Sequence, residues 1–193
     1  MKKSILIIAL IGLFIGMISC TEKTDKNTDP EVVINSYHFK TSFIKVLENA
    51  KAYTLEVAEA MPAEDYTFRT TDSVRTFGEQ LAHIGISTQF ILVKFIKGEE
   101  LPESDVTEQG IGKSKELTIT MLNKSFDDII ETLNSMDDDT MNEKFILSFL
   151  PEKPEYSKHE GFVFLRDHIT HHRGQAIVYL RAKGHQAPQY RAF

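Results

Sequence analysis

Histidine binds metal ions and moves protons near neutral pH, and the segment Arg166-Asp167-His168-Ile169-Thr170-His171-His172-Arg173-Gly174-Gln175 is rich in it. His168 and His172 stand four residues apart. On a helix of about 3.6 residues per turn, that interval puts both rings on one face, with Cβ atoms roughly 6 Å apart, within reach of one cation. The spacing alone also fits two partly buried, hydrogen-bonded imidazoles. His83 adds weight to the metal reading. It lies in Phe77-Gly78-Glu79-Gln80-Leu81-Ala82-His83-Ile84, midway along a second apolar segment of helical spacing. An imidazole without a partner is costly there, and a shared divalent ion satisfies all three rings. Three neutral imidazoles leave a coordination position open, the arrangement of a catalytic rather than a purely structural ion.

Other residues around this set have competing explanations. Glu79 stands one turn before His83 and could act on a metal-bound water, but Thr76 and Glu79 also have the spacing of a capping box. His171 could serve as an acid or base beside the site, or point at a neighbouring helix. Gln175, three residues after His172, could hydrogen-bond near the site or simply pack. His38, His159 and His185 fall near helix ends or in flanking segments and read as surface residues. Nucleophile-elbow, phosphate-loop and H-E-x-x-H motifs are absent.

The elements that must position the histidines follow from the apolar spacing. Phe39, Phe43, Val46, Leu47, Ala50, Tyr53, Val57 and Met61 recur at three and four residues, so they predict a first helix that Pro62 stops. A polar connection from Ala63 to Ser73 precedes a second helix from the Thr76–Glu79 capping box to Gly98. An acidic, glycine-containing loop is expected from Glu99 to Lys113. A third helix starts near Ser114 and ends at Asp137-Asp138-Asp139, which reads as a solvated turn rather than a calcium site. Phe145 to Leu150 is an apolar run that suits a short strand or an extended cover over one end of the bundle. Ser157 and Glu160 form another capping box, and the last helix runs from there to Gly184. Four long amphipathic helices predict an all-α four-helix bundle, with the metal between the second and fourth.

The chain of 193 residues is long enough for one globular domain and an appendage. The appendage comes first. Met1-Lys2-Lys3 is a positive start, the run Ile5 to Ile18 is 14 residues of apolar character, and Met17-Ile18-Ser19-Cys20 follows. This resembles a bacterial lipoprotein signal spanning residues 1–19, in which Cys20 would be lipidated and anchor the mature chain in the cell envelope. The alternative is an ordinary secretory signal with a cysteine nearby by chance. Cys20 is the only cysteine, so no internal disulfide can form. Residues 20–35 are polar and aperiodic and read as a tether. Without residues 1–19 the chain holds 20 basic and 28 acidic residues, a formal charge of −8, which lacks the electrostatic footprint of a nucleic-acid binder.

Three stretches resemble the DinB/YfiT-like family, four-helix bundles with a three-histidine divalent-metal site. These are Met61-Pro62-Ala63-Glu64-Asp65-Tyr66-Thr67-Phe68-Arg69, Arg75-Thr76-Phe77-Gly78-Glu79-Gln80-Leu81-Ala82-His83, and Asp167 to Gln175 followed by Leu180-Arg181-Ala182-Lys183-Gly184. The resemblance implies a domain over residues 36–193, with His83, His168 and His172 as ligands. Members of that family are metal-dependent hydrolases or thiol transferases, which makes either activity an expectation for this chain. Fold alone does not carry chemistry, so a non-catalytic metal- or ligand-binding lipoprotein stands beside the enzyme reading. Zinc or nickel would suit the imidazoles. The substrate or ligand is expected to be a small molecule, and the sequence leaves monomer and homodimer both open.

Overall fold

Why the helices begin where they do is visible in their caps. The structure, a computed structural model, describes residues 36–192. The expected lipoprotein signal and tether, Cys20 included, lie outside the described residues. Helix α1 (Ser36–Ala60) ends just before Pro62, which opens a single 3-10 turn at Ala63–Asp65. Helix α2 (Phe77–Ile91) starts on the capping box read from the sequence: the Thr76 hydroxyl accepts the Glu79 N–H, and Glu79 accepts the Thr76 N–H. Its last turns, Leu92–Lys97, widen into a π-helix that stops at Gly98 in the left-handed region, φ 70°. Helix α4 (Lys115–Ser135) is capped by Ser114, and α6 (Lys158–Ala182) by the reciprocal Ser157–Glu160 pair.

These four long helices form a ring in which α1 and α2 each pack against both α4 and α6. The apolar stripes explain the arrangement. Leu47, Ala50, Tyr53, Val57 and Ala58 of α1, and Leu122, Phe126, Ile129 and Leu133 of α4, recur at helical spacing and are buried. On α6 the buried series runs Phe162, Leu165, Ile169, His172, Arg173, Ala176, Leu180. Two polar residues of this series, His172 and Arg173, thus occupy core positions, and His159 is buried in the first turn. Helix α2 carries buried residues on most of its circumference, including Gln80 and Thr88. Among the described residues no helix is long and apolar enough to cross a membrane.

The acidic stretches expected as a loop and as a turn are more ordered than the sequence suggested, and the apolar run takes up the short strand it allowed. The acidic loop contains a short helix α3 (Glu108–Gly112), which the Thr107 hydroxyl caps by accepting the Gly110 N–H. The apolar run after residue 144 is half of a hairpin. Strand β1 (Lys144–Ile146) pairs antiparallel with β2 (Glu155–Ser157), Phe145 opposite Tyr156. Asp137 caps a five-residue helix α5 (Asp138–Asn142) rather than a bare turn.

Helix α3 matters because of how closely it is seated. A Cβ added to Gly78 would lie 1.9 Å from the Gly112 carbonyl oxygen, and one added to Gly112 would lie 2.6 Å from the Glu79 nitrogen. Backbone meets backbone, with no flexible side chain to give way. Gly78→Ala is therefore expected to lower stability by about 1–3 kcal/mol, the usual cost of overpacking a tight contact. A urea denaturation midpoint equal to that of the parent chain would show that the two glycines are not in contact.

Candidate metal centre

The three histidines meet where α2 and α6 cross. Ring centroids are 4.3 Å apart for His83 and His172, 4.6 Å for His168 and His172, and 5.2 Å for His83 and His168. One donor nitrogen from each lies within 4.8 Å of the other two. Donors about 2.1 Å from one ion stand at most about 4.2 Å apart. Small rotations of the rings suffice to close the group onto a cation.

What holds the rings is as informative as their convergence. His83 Nδ1 donates to Glu108 Oε1 at 2.6 Å, and the same carboxylate takes Arg75 Nε at 2.6 Å on its other oxygen. His172 Nδ1 donates to Gln80 Oε1 at 2.9 Å. His168 Nδ1 lies 3.4 Å from Ser87 Oγ. The Ser87 hydroxyl proton already goes to the His83 carbonyl, so toward His168 that oxygen accepts. Each Nδ1 therefore faces a protein acceptor, closely for His83 and His172 and only at the far end of hydrogen-bond range for His168, which leaves the Nε2 lone pairs for an ion. Fixing the tautomer and the ring angle from behind is the usual function of partners around metal-binding imidazoles.

The electrostatics favour neutral rings at His168 and His172. Burial, followed by the neighbouring His83, His171 and Arg75 charges, pushes His168 down to about 4. Burial likewise brings His172, only 7 % exposed, down to about 3, with His83, His168, His171 and Arg75 adding to the shift. Burial alone would raise the Glu108 pKa, but its hydrogen bonds from Arg75 and His83 outweigh this and hold it below the ordinary carboxylate range.

Residues 47–176 match the DinB superfamily. The chain belongs to the DinB superfamily. Among the solved structures that share the fold are two DinB-like proteins. A DinB-like protein from Bacillus cereus superposes with a TM-score of 0.63 at 18% identity, over 78% of this chain and 97% of that one. A DinB-like protein from Bacillus subtilis gives 0.61 at 17%, over 77% and 97%. No curated protein matches the chain.

In this DinB-superfamily protein the other candidates are not part of the three-ring group, although the His171 ring lies edge-on to His172 at 4.8 Å. Glu79 is engaged in capping α2. His171 is exposed rather than turned to a neighbouring helix, and its Nε2 accepts from the Gln175 amide at 2.8 Å. Those two side chains pair with each other. His159 is not a surface residue: it is 6 % exposed, packed edge-on against Phe39 because the start of α1 covers the first turn of α6. His185 is half-buried, with Nε2 3.0 Å from Asp65, while His38 is exposed as expected. Four residues behind the rings carry no signal that the sequence reading used. Gln80 and Ser87 lie one turn either side of His83, on its face of α2, and that spacing could have found them. Glu108 and Arg75 meet His83 only through the seating of α3.

Two outcomes follow from these contacts. Glu108→Gln is expected to weaken metal affinity about 10–100-fold while leaving all three ligands in place, read by competition with a chromophoric chelator; unchanged affinity would remove Glu108 from the site. Because the folded pKa values of His168 and His172 lie below the unfolded value near 6.5, the unfolded chain binds more protons as pH falls. In the metal-free protein the histidine contribution should fall from about pH 6.5 downward and level off near pH 3–4, with carboxylates such as Glu108 adding their own loss below the ordinary carboxylate range. Thermal melts at pH 7 and pH 5 check this, and a His168→Asn, His172→Asn double variant should lose less on acidification than the parent.

Proposed function

We propose that this DinB-superfamily protein is an envelope-anchored, divalent-metal-dependent enzyme that acts on a small molecule, by hydrolysis or by joining a thiol to an electrophile. The observation that supports this best is the donor set: three converging imidazoles, two of them with Nδ1 firmly hydrogen-bonded to the protein, and a coordination position to spare. A divalent ion bound there would lower the pKa of a coordinated water or thiol and polarise a substrate oxygen. His83, His168 and His172 would hold it, and zinc or nickel suits such donors.

The chain's own groups set the conditions for that chemistry. Glu108 orients His83 and increases its donor strength, and Arg75 fixes Glu108 from behind. Phe164 stacks alongside His168 at 6.4 Å and Tyr156 alongside Phe164 at 6.2 Å, an aromatic flank that limits solvent on one side. Export, which rests on the lipoprotein-like residues 1–20, favours hydrolysis over use of a cytosolic thiol. The formal charge of −8 after removal of residues 1–19 argues against nucleic acid as the partner.

A second reading, a non-catalytic metal- or ligand-binding lipoprotein, is favoured by one observation. Glu79, His171, Gln175 and Glu108 are all engaged in other hydrogen bonds, which leaves no side chain among them free to act as a general base.

Elemental analysis of the purified mature protein beside its His168→Ala variant decides the metal question: near-stoichiometric metal is expected in the first and a large loss in the second, and equal content would overturn both readings. Ester, phosphoester, amide and thiol-transfer substrates then separate them, since turnover supports the enzyme and a metal-loaded but inert protein supports the binder. Cys20→Ser is expected to move the protein from the membrane to the soluble fraction; retention at the membrane would remove the lipid anchor.

A further inference from the structure

The other side of α6 carries a second cluster. At about 100° per residue, Arg166, Thr170 and Arg173 project from the opposite side of the helix to His168 and His172. They line a cleft of about 90 Å³ with Asn49 and Tyr53 of α1 and Tyr190 of the C-terminal segment. That is several times the roughly 10–15 Å³ needed for one water, and no acidic side chain lines it.

Arg173 is 8 % exposed, yet among the described residues no carboxylate comes within ion-pair distance of it. Its guanidinium lies 4.6 Å over the Tyr53 ring, and Nη1 reaches the Ala50 carbonyl and the Thr54 hydroxyl only at 3.4 Å, the far end of hydrogen-bond range. The Nε of Arg166 is buried with no hydrogen-bond partner, and its nearest acid, Asp167, stands 3.5 Å from Nη1. At the rim Arg191 is already neutralised by Glu56. A buried cation is normally paired, and here the buried Arg173 has no acid, while the half-buried Arg166 beside it has only the long pair with Asp167. Planar guanidinium forks match carboxylate and phosphate oxygens.

We infer that this cleft between α1 and α6 binds a small oxyanion, a phosphate or a carboxylate, between Arg166 and Arg173. The cleft is too small for a nucleotide and is separate from the histidine group, so the anion is a second ligand of the protein. It bridges α1 to the helix that carries two of the three metal-binding histidines.

The experiment uses the full mature chain stripped of metal with a chelator. Melting temperatures are compared in sodium chloride, sodium phosphate and sodium acetate at one ionic strength, with dissociation constants from calorimetry. Ligand bound only to the folded state raises the melting temperature with its concentration. Phosphate or acetate is expected to raise it above the chloride value, equally in the parent and in His168→Ala, and the anion that does so names the class. Arg166→Gln and Arg173→Gln are expected to weaken the response at least tenfold in dissociation constant. Should Arg173→Gln fail to fold, Arg166→Gln carries the test, since its side chain is 31 % exposed. No rise over chloride in the parent, or the same rise in Arg166→Gln, would overturn the inference. So would loss of the response in His168→Ala, which would place the anion at the histidines.

Discussion

The contact between α2 and α6 is built around a conflict: imidazoles placed where apolar side chains would otherwise pack. Burial disfavours the charged forms of His168 and His172, and a neutral ring still has one N–H and one lone pair to satisfy. The protein supplies an acceptor for each N–H, through Glu108, Gln80 and Ser87. It supplies nothing comparable for the lone pairs. That asymmetry turns three histidines, one buried and two partly buried, into a coherent donor set, and the surrounding helices, caps and glycine contact keep it in register.

Much of this was legible in the sequence because it depends on local spacing. The interval between His168 and His172 is a property of any helix, and the capping residues Thr76, Ser114 and Ser157 mark true helix starts. His83 was conspicuous as a polar residue within an apolar stripe. Glu108 was not, since it lies 25 residues from its partner in a stretch whose acids and glycines read as loop. Only the close seating of Gly112 on Gly78 brings it to the site. His159 misled for a related reason: position near a helix end suggests exposure, but the cover comes from α1, more than a hundred residues earlier. The widening of Leu92–Lys97 into a π-helix likewise leaves no trace in the apolar period.

Helix α6 carries opposite chemistry on its two sides. Toward α2 it offers neutral nitrogens suited to a cation; toward α1 it offers guanidinium groups with too few acids to balance them. Neighbouring residues of one helix, His172 and Arg173, are both buried yet belong to different environments, because α6 is enclosed by a different partner on each side. A substitution at either position acts first through its own neighbours.

Helix α3 spans little more than one turn, from Glu108 to Gly112, with a carboxylate at one end and a backbone seat at the other. It works as a short rigid arm whose reach is set by a residue count. Segment 99–106 only has to deliver the chain to that arm, so its length and composition are open to drift, by insertion as readily as by substitution. Adding or removing a single residue between 108 and 112 would rotate the acid by about 100° around the helix axis and leave His83 facing the wrong side chain.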